Sequence, residues 1–400
     1  MKAKSRRQIA GIGSLAVLGL AAAEVLIMMT PFAGFFYGAL HFEPLLGWLG
    51  QSPATAWLEG FFLNHSVVTD SALLEWQREI GDYLLVLGLL GFVVSAGRVY
   101  GKKATRAGVV TGSLYRFIRH PQYACFALAG WGILVSWPRF LLLGGWVTML
   151  FLYSGLARLE ERRMEERFGL EYGDFAATRG AFLPGSPVRR LFEATFGRLR
   201  PRPLGWLAGY ASCLLIAFGL AFALRGYTIR HSAILLQPQG RTAIISVWPQ
   251  PSEWMERVIA VARSEPEVTE RLFSEADDVV LVATILPFRY GMKDMYYRMA
   301  TLDAGVPWET GVRAAGFDPP ILRSFMGRNP AASEEPVEVV FSRAAKGYKG
   351  RIELEEVLDP GVRLTPLLVV TVSAVRDKVT RVVVPLPQNA WGEKVVMPLF

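Results

Sequence analysis

Five apolar stretches dominate the first part of the chain: Ile9–Met29, Tyr83–Ala96, Tyr123–Trp137, Phe140–Ala157 and Leu204–Leu224. A helix needs about 20 apolar residues to cross a bilayer, so each stretch predicts a transmembrane helix, the second and third borrowing flanking residues to reach that length. Leu45–Phe62 is also apolar, but Gly47, Gly50 and Pro53 break it and Trp48 and Trp57 lie within it. That pattern predicts an interfacial or re-entrant segment. After Tyr227 the period changes to short β-branched runs punctuated by Pro, Gly and Asn, which predicts one soluble α+β domain. Its expected strands are Thr242–Trp248, Asp278–Ile285, Val337–Phe341, Leu367–Val375 and Val379–Val384, with amphipathic helices at Glu253–Arg263 and Glu267–Ala276. The expected architecture is thus a membrane all-α helical bundle of about five transmembrane helices followed by a soluble α+β domain. Its parts are an amino-terminal helix and interfacial segment over 1–80, a membrane core over 81–203, a last transmembrane helix over 204–226, and the α+β domain over 227–400.

Composition supports the membrane reading, with 52% hydrophobic and 20% charged residues over 400 positions. The formal charge of +8 would suggest nucleic acid in a soluble protein, but here the basic residues flank apolar segments. They are a topology signal, and no nucleic-acid partner is expected. Lys2 to Arg7, the group from Arg98 to Arg119, and Arg158 to Arg202 fall on one side if five helices alternate, whereas Phe42–Glu79 is acidic. The positive-inside rule puts the amino terminus in the cytoplasm and the domain after Leu224 outside it, as in a bacterial inner-membrane protein. The basic start followed by Ala21-Ala22-Ala23 has features of a signal peptide, but apolar character continues through Val25 to Leu40, so a retained helix is expected. Cys125 and Cys213 lie far apart in apolar stretches, and no His or Cys spacing offers a metal site.

Two polar phrases bracket the third and fourth stretches. The first, Gly108 to Tyr123, ends in Arg119-His120-Pro121-Gln122-Tyr123; the second, Glu160 to Tyr172, contains Glu160-Glu161, Met164, Phe168-Gly169 and Tyr172, with Arg179 to Pro184 beyond. If the two stretches form one helical hairpin, both phrases lie at the same membrane face. In order and spacing this set resembles the isoprenylcysteine carboxyl methyltransferase and phospholipid methyltransferase superfamily, over about Leu84 to Pro184. The resemblance implies a membrane methyltransferase using S-adenosylmethionine, with cofactor residues at Val109, Val110, Tyr115, Arg119, His120, Pro121, Gln122, Tyr123, Glu160 and Glu161, and Arg158 as a substrate-orienting residue. It implies a lipophilic or small amphipathic acceptor drawn from or beside the lipid bilayer, and it is silent about residues 227–400.

The residue chemistry agrees with that role. His120 and Arg119 offer donors, while Glu160 or Glu161 can accept from an ammonium or from ribose hydroxyls. Tyr115 and Tyr123 supply flat faces, and a cation near an aromatic face gains about 0.5–2 kcal/mol. Pro121 suits the first turn of a helix, where its missing N–H is no loss. Methyl transfer needs in-line positioning and exclusion of water more than acid or base, so no catalytic residue is singled out. Two other classes share some of these features. Sterol-reductase-type enzymes carry a similar Arg-His-Pro-x-Tyr element and use NADPH, but the Glu pair before Phe168-Gly169 favours the methyltransferase. Arg119-His120 as a mere membrane anchor, and Glu160 to Arg167 as a solvated helix, would leave a scaffold that only holds the outer domain.

Overall fold

The computed structural model describes residues 29–32, 35, 47–65, 67–104, 109–185, 187–274, 279–288, 290, 336–385 and 395–396. These fall into two compact units. One takes the described residues up to 41 with 83–133 and 144–216; the other takes those from 42 to 82, 134–143 and those after 217.

The helices are α1 (Ala72–Ala104), α2 (Pro121–Ser136), α3 (Phe140–Phe168), α4 (Leu170–Thr178), α5 (Pro187–Phe196) and α6 (Arg202–Arg230). Ala72–Lys102, Phe140–Phe168 and Arg202–Arg230 are, among the described residues, the helices long and apolar enough to cross a membrane. The 29 residues of α3 rise about 43 Å. That exceeds a hydrocarbon core of about 30 Å, so the charged final turns reach past it. The third predicted stretch forms α2, whose 16 residues rise only about 24 Å. Pro138 is the reason it stops, because the residue before a proline is pushed out of helical geometry. The first predicted span, apart from Met29, lies outside the described residues.

Within the first unit the helices meet closely where side chains are small. A Cβ on Gly88 of α1 would collide with the backbone of Ala129 and Cys125 on α2, so only glycine permits that approach. Across the α2–α3 hairpin, Trp146 Nε1 donates to the Ala127 carbonyl at 3.0 Å, and the rings of Tyr123 and Tyr153 stack at 4.7 Å. On the other side of α3, Thr148 Oγ1 and the Tyr210 hydroxyl lie 2.8 Å apart, and Phe151 packs edge-on against Trp206 and Tyr210 of α6.

The second unit is built on a mixed sheet. Strands β1 (Ala233–Gln237), β2 (Thr242–Ser246), β3 (Leu281–Pro287), β4 (Val337–Lys346), β5 (Val362–Ser373) and β6 (Lys378–Val383) follow one another in space as in sequence, and β7 (Val395–Val396) pairs with β5. The β2–β3 pair is parallel and the others antiparallel. The crossover between β2 and β3 carries α7 (Ser252–Arg263) and α8 (Pro266–Phe273). Strands β2 and β3 are wholly buried. Helix α7 buries Met255, Val258, Ile259 and Ala262, one face at helical spacing. Burying each of the larger three is worth about 1.5–3 kcal/mol. The five expected strands are present with shifted ends; β1, which follows α6 after two residues, and β7 were not anticipated.

Segment 47–65 packs inside this second unit. Glu59 is fully buried and forks onto Arg363, with Oε1 2.7 Å from Nη2 and Oε2 3.2 Å from Nε. Arg139 donates to the Glu59 carbonyl at 3.3 Å and lies 4.5 Å from the centre of the Phe61 ring. Arg225 donates to the carbonyls of Phe61 and Leu358. Burial pushes Glu59 above the usual carboxylate range despite Arg363, and draws Arg139 down to about 10. Val67 joins the sheet's core, and Val68 N–H donates to the Val247 carbonyl at 2.7 Å.

Candidate functional site

The two motif phrases meet at one end of the α2–α3 hairpin. Pro121 opens α2, as its missing N–H allows, and that start sets Tyr123 in the first turn facing α3. The Tyr123 hydroxyl donates to Glu160 Oε1 at 2.5 Å. His120 lies between the two acids, with Nε2 2.9 Å from Glu161 Oε1 and Nδ1 3.5 Å from Glu160 Oε2. Arg119 Nη2 reaches the same Glu161 oxygen at 2.9 Å, and its Nη1 donates to the Ala176 carbonyl at 3.0 Å. With both ring nitrogens facing carboxylates, His120 is arranged to carry its proton. Burial lowers its pKa, but Glu160 and Glu161 outweigh burial and hold it above the ordinary histidine value.

Gly169 explains how the second phrase turns back. Its φ is +51°, a conformation a side chain would strain, and it lets the chain pass from α3 directly into α4. Helix α4 then buries Tyr172 and Phe175 against Val109 and Tyr115, with Val110, Met164 and Phe168 packed around them. Burial, with Glu161 nearby, pushes Tyr172 up to about 12. Burial, with a smaller contribution from the Glu160 charge, also raises the Tyr115 hydroxyl. Val109 N–H donates to Glu171 Oε1 at 3.2 Å, and Lys102 Nζ donates to the Val109 carbonyl at 2.8 Å.

The stretch after α4 closes the arrangement. Arg119 N–H donates to the Gly180 carbonyl and His120 N–H to the Ala181 carbonyl, each at 2.9 Å, and Arg179 Nε donates to the Arg116 carbonyl at 3.1 Å. Phe182 sets its ring 5.8 Å from that of His120. Of the expected site residues, Arg119, His120, Tyr123, Glu160 and Glu161 form one bonded cluster, and Pro121 places it. Val109, Val110 and Tyr115 form the neighbouring apolar cluster. Gln122 is half-buried. Arg158 has its guanidinium 5.7 Å from the centre of the Trp206 ring. Glu171, Tyr153 and Phe182 were not anticipated. Tyr153 precedes Glu160 by seven residues, two helical turns, and that spacing was its available signal.

The donor set suits S-adenosylmethionine. Glu160 remains about half exposed, so its carboxylate can take a cationic or hydroxyl partner. The Arg119 Nε and Gln122 Nε2 donors are buried and have no hydrogen-bond partner among the described residues, and buried donors of that kind are normally paired. Among the described residues no group of His, Cys, Asp or Glu could hold a metal ion.

Comparison with known proteins gives one relevant likeness. The chain is 34% identical over 96 residues to "Methanethiol S-methyltransferase 1" of Bradyrhizobium diazoefficiens, covering 24% of this chain and 33% of that protein. The chain thus spans about a third of that relative's length. No family model matches. No solved structure matches significantly.

Proposed function

We propose that this protein is an integral membrane methyltransferase that moves a methyl group from S-adenosylmethionine to a small or amphipathic thiol. The observation that carries the reading is the Arg119–His120–Tyr123–Glu160–Glu161 cluster, which joins two distant phrases at one end of a helical hairpin. The partial likeness to a protein named as a methanethiol S-methyltransferase supports sulfur as the accepting atom. When bound, S-adenosylmethionine supplies an electrophilic methyl on a sulfonium.

The chain's own part is binding and orientation. Glu160, with Tyr123 fixing one of its oxygens, is the acceptor for the ligand's ammonium or ribose hydroxyls. His120 and Arg119 balance Glu161 and hold it in place. The backbone of Val109 and Val110, with Tyr115, forms the wall for the adenosine. A cysteine-type thiol is already a few per cent ionised near neutral pH and a simple alkyl thiol far less, so the acceptor must lose its proton to solvent before or during attack, and positioning and water exclusion carry the rest of the rate. The new S–C bond forms as the sulfonium–methyl bond breaks, and the acceptor's proton goes to solvent.

The test is incubation of purified protein with S-adenosylmethionine carrying a labelled methyl, offered a small alkyl thiol, a prenylated cysteine carboxylate or phospholipid vesicles. Label in the thioether product is expected. Label in lipid or ester alone would reassign the acceptor, and absence of cofactor binding altogether would overturn the class.

A further inference from the structure

We infer that α5 is an in-plane membrane anchor that reads anionic phospholipid headgroups and thereby steadies the strip of chain behind His120. This goes beyond the methyl-transfer reading and does not depend on which acceptor is used. Helix α5 is amphipathic: Val188, Leu191, Phe192 and Phe196 share one face, while Arg190 lies on the opposite one. Part of the apolar face is taken up within the unit, since Phe192 lies so close to Gly209 of α6 that a Cβ there would meet its ring at 2.8 Å. The remainder is uncovered, with Val188 63% and Leu191 69% exposed.

What covers it follows from connectivity and charge. Five residues separate α5 from α6, a helix of 29 residues that is apolar enough to cross a membrane, so α5 cannot leave the bilayer surface. Between Pro187 and Arg202 stand Arg189, Arg190, Arg198, Arg200 and Arg202 against the single acid Glu193. Arg189 is paired with Glu193 at 2.8 Å. Arg190, Arg198 and Arg200 are exposed and make no ion pair among the described residues. An exposed apolar stripe with unpaired arginines beside it is the composition of a helix lying in the interface, held by apolar insertion and by anionic headgroups.

The position gives the anchor a consequence. Arg179 to Ala181, bonded through their backbone and side chains to Arg116, Arg119 and His120, lead into α5 within six residues. A seated α5 fixes the far end of that strip; an unseated one leaves it held only by its bonds to the site.

The experiment is hydrogen exchange on the full chain in nanodiscs of phosphatidylcholine alone or mixed with phosphatidylglycerol. Amides of α5 should be protected about tenfold or more when the anionic lipid is present, an effect of the size that clustered basic residues give near an anionic surface. The triple variant R190Q/R198Q/R200Q should lose that difference, whereas R189Q, whose arginine is already paired, should keep most of it. Amides of α6 serve as the internal reference for folding in every sample. Equal α5 protection in both lipids overturns the proposal. A lipid-dependent difference that survives in the triple variant overturns it as well, because protection would then not come from these arginines.

Discussion

The Tyr123 hydroxyl donates to Glu160 across 2.5 Å, tying the first turn of α2 to the charged turns of α3. Two phrases 37 residues apart are thereby fixed at one end of a hairpin. Tyr123→Phe keeps the ring stacked on Tyr153 and removes only the donor. We expect about 1.5 kcal/mol of lost stability, the low end for a bond to a charged group because Glu160 is half exposed. Thermal unfolding in detergent, compared with wild type, measures it. No loss would mean that the bond is replaced by water at no cost.

Cofactor binding should be more sensitive than stability. His120→Ala and Glu160→Gln each remove one partner of a charged interaction in the proposed site, which costs about 1.5–3 kcal/mol, or about ten- to a hundredfold in affinity. Helix content should stay near that of wild type. S-adenosylmethionine titration by calorimetry reads the effect, and unchanged affinity in both variants would remove these residues from the site.

His120 also sets a pH dependence with a definite sign. Burial lowers its pKa, yet Glu160 and Glu161 outweigh burial and raise it in the folded protein. A raised value means that the folded state holds the proton more tightly. The stabilisation is therefore complete below the unfolded value of about 6.5 and is lost as pH rises through the higher folded value. The stability gap between wild type and His120→Asn should shrink as pH is raised across that window. Unfolding midpoints for both proteins at a series of pH values give the gap, and a gap that widens with pH contradicts the assignment.

The parts of this molecule that were legible in the sequence are those where one residue pattern decides the outcome. Long apolar runs led to α1, α3 and α6, and alternation with β-branched residues led to the five sheet strands. Strand β1 escaped because Ala233–Gln237 follows α6 with only two residues between and without turn residues, so its apolar run reads as a continuation of the helix. The role of segment 47–65 escaped for a different reason. Its apolar residues suit a lipid interface and a protein one alike, and its bond to Arg363 joins residues 304 apart, which no local pattern reveals. At the candidate site the bonded residues were legible from motif spacing. Glu171 and the Gly180–Phe182 stretch belong to the motif phrases, but their individual contacts were not legible, because they depend on the turn that Gly169 sets. Arg158 has its guanidinium over the Trp206 ring while the charge of Glu161 still acts on it, a placement that sequence spacing does not reveal.

The buried pair predicts a large and asymmetric mutational effect. Glu59→Gln leaves Arg363 without its carboxylate in a site where Glu59 is fully buried, and breaking one side of such a pair costs about 3–5 kcal/mol. The double change Glu59→Met with Arg363→Met should cost less than Glu59→Gln alone, because Arg363 is no longer left without its carboxylate, while the loss of the Glu59 charge beside buried Arg139 is common to both. The exposed pair Arg189–Glu193 is the contrast, and its loss should change stability by no more than about 0.5 kcal/mol. Limited proteolysis under rising denaturant, read on the second unit for the Glu59 and Arg363 changes and on the first unit for the Arg189–Glu193 pair, ranks the three.

The last prediction concerns which side of the membrane each end occupies. The Tyr123–Glu160 bond requires Pro121 and Phe168 to lie at the same end of the α2–α3 hairpin. Around that end the sequence carries Arg116, Arg119, Arg162, Arg163, Arg167 and Arg179, and the apolar turn at Trp137-Pro138 marks the opposite end. Basic residues beside short hydrophobic segments are retained in the cytoplasm, so the cluster and α5 are expected there, the side that the proposed cofactor would require. Helix α6 follows α5 and is long enough to cross once, and if it crosses, the sheet that begins at Ala233 is expected on the far side. A reporter active only outside the cytoplasm should therefore work when fused after Phe400 and stay silent when fused after Pro184. Paired fusions of the two reporter types at both sites give opposite signals if this is right. A cytoplasmic signal at Phe400 would mean that α6 does not cross, and the sheet unit would then share the compartment of the cofactor.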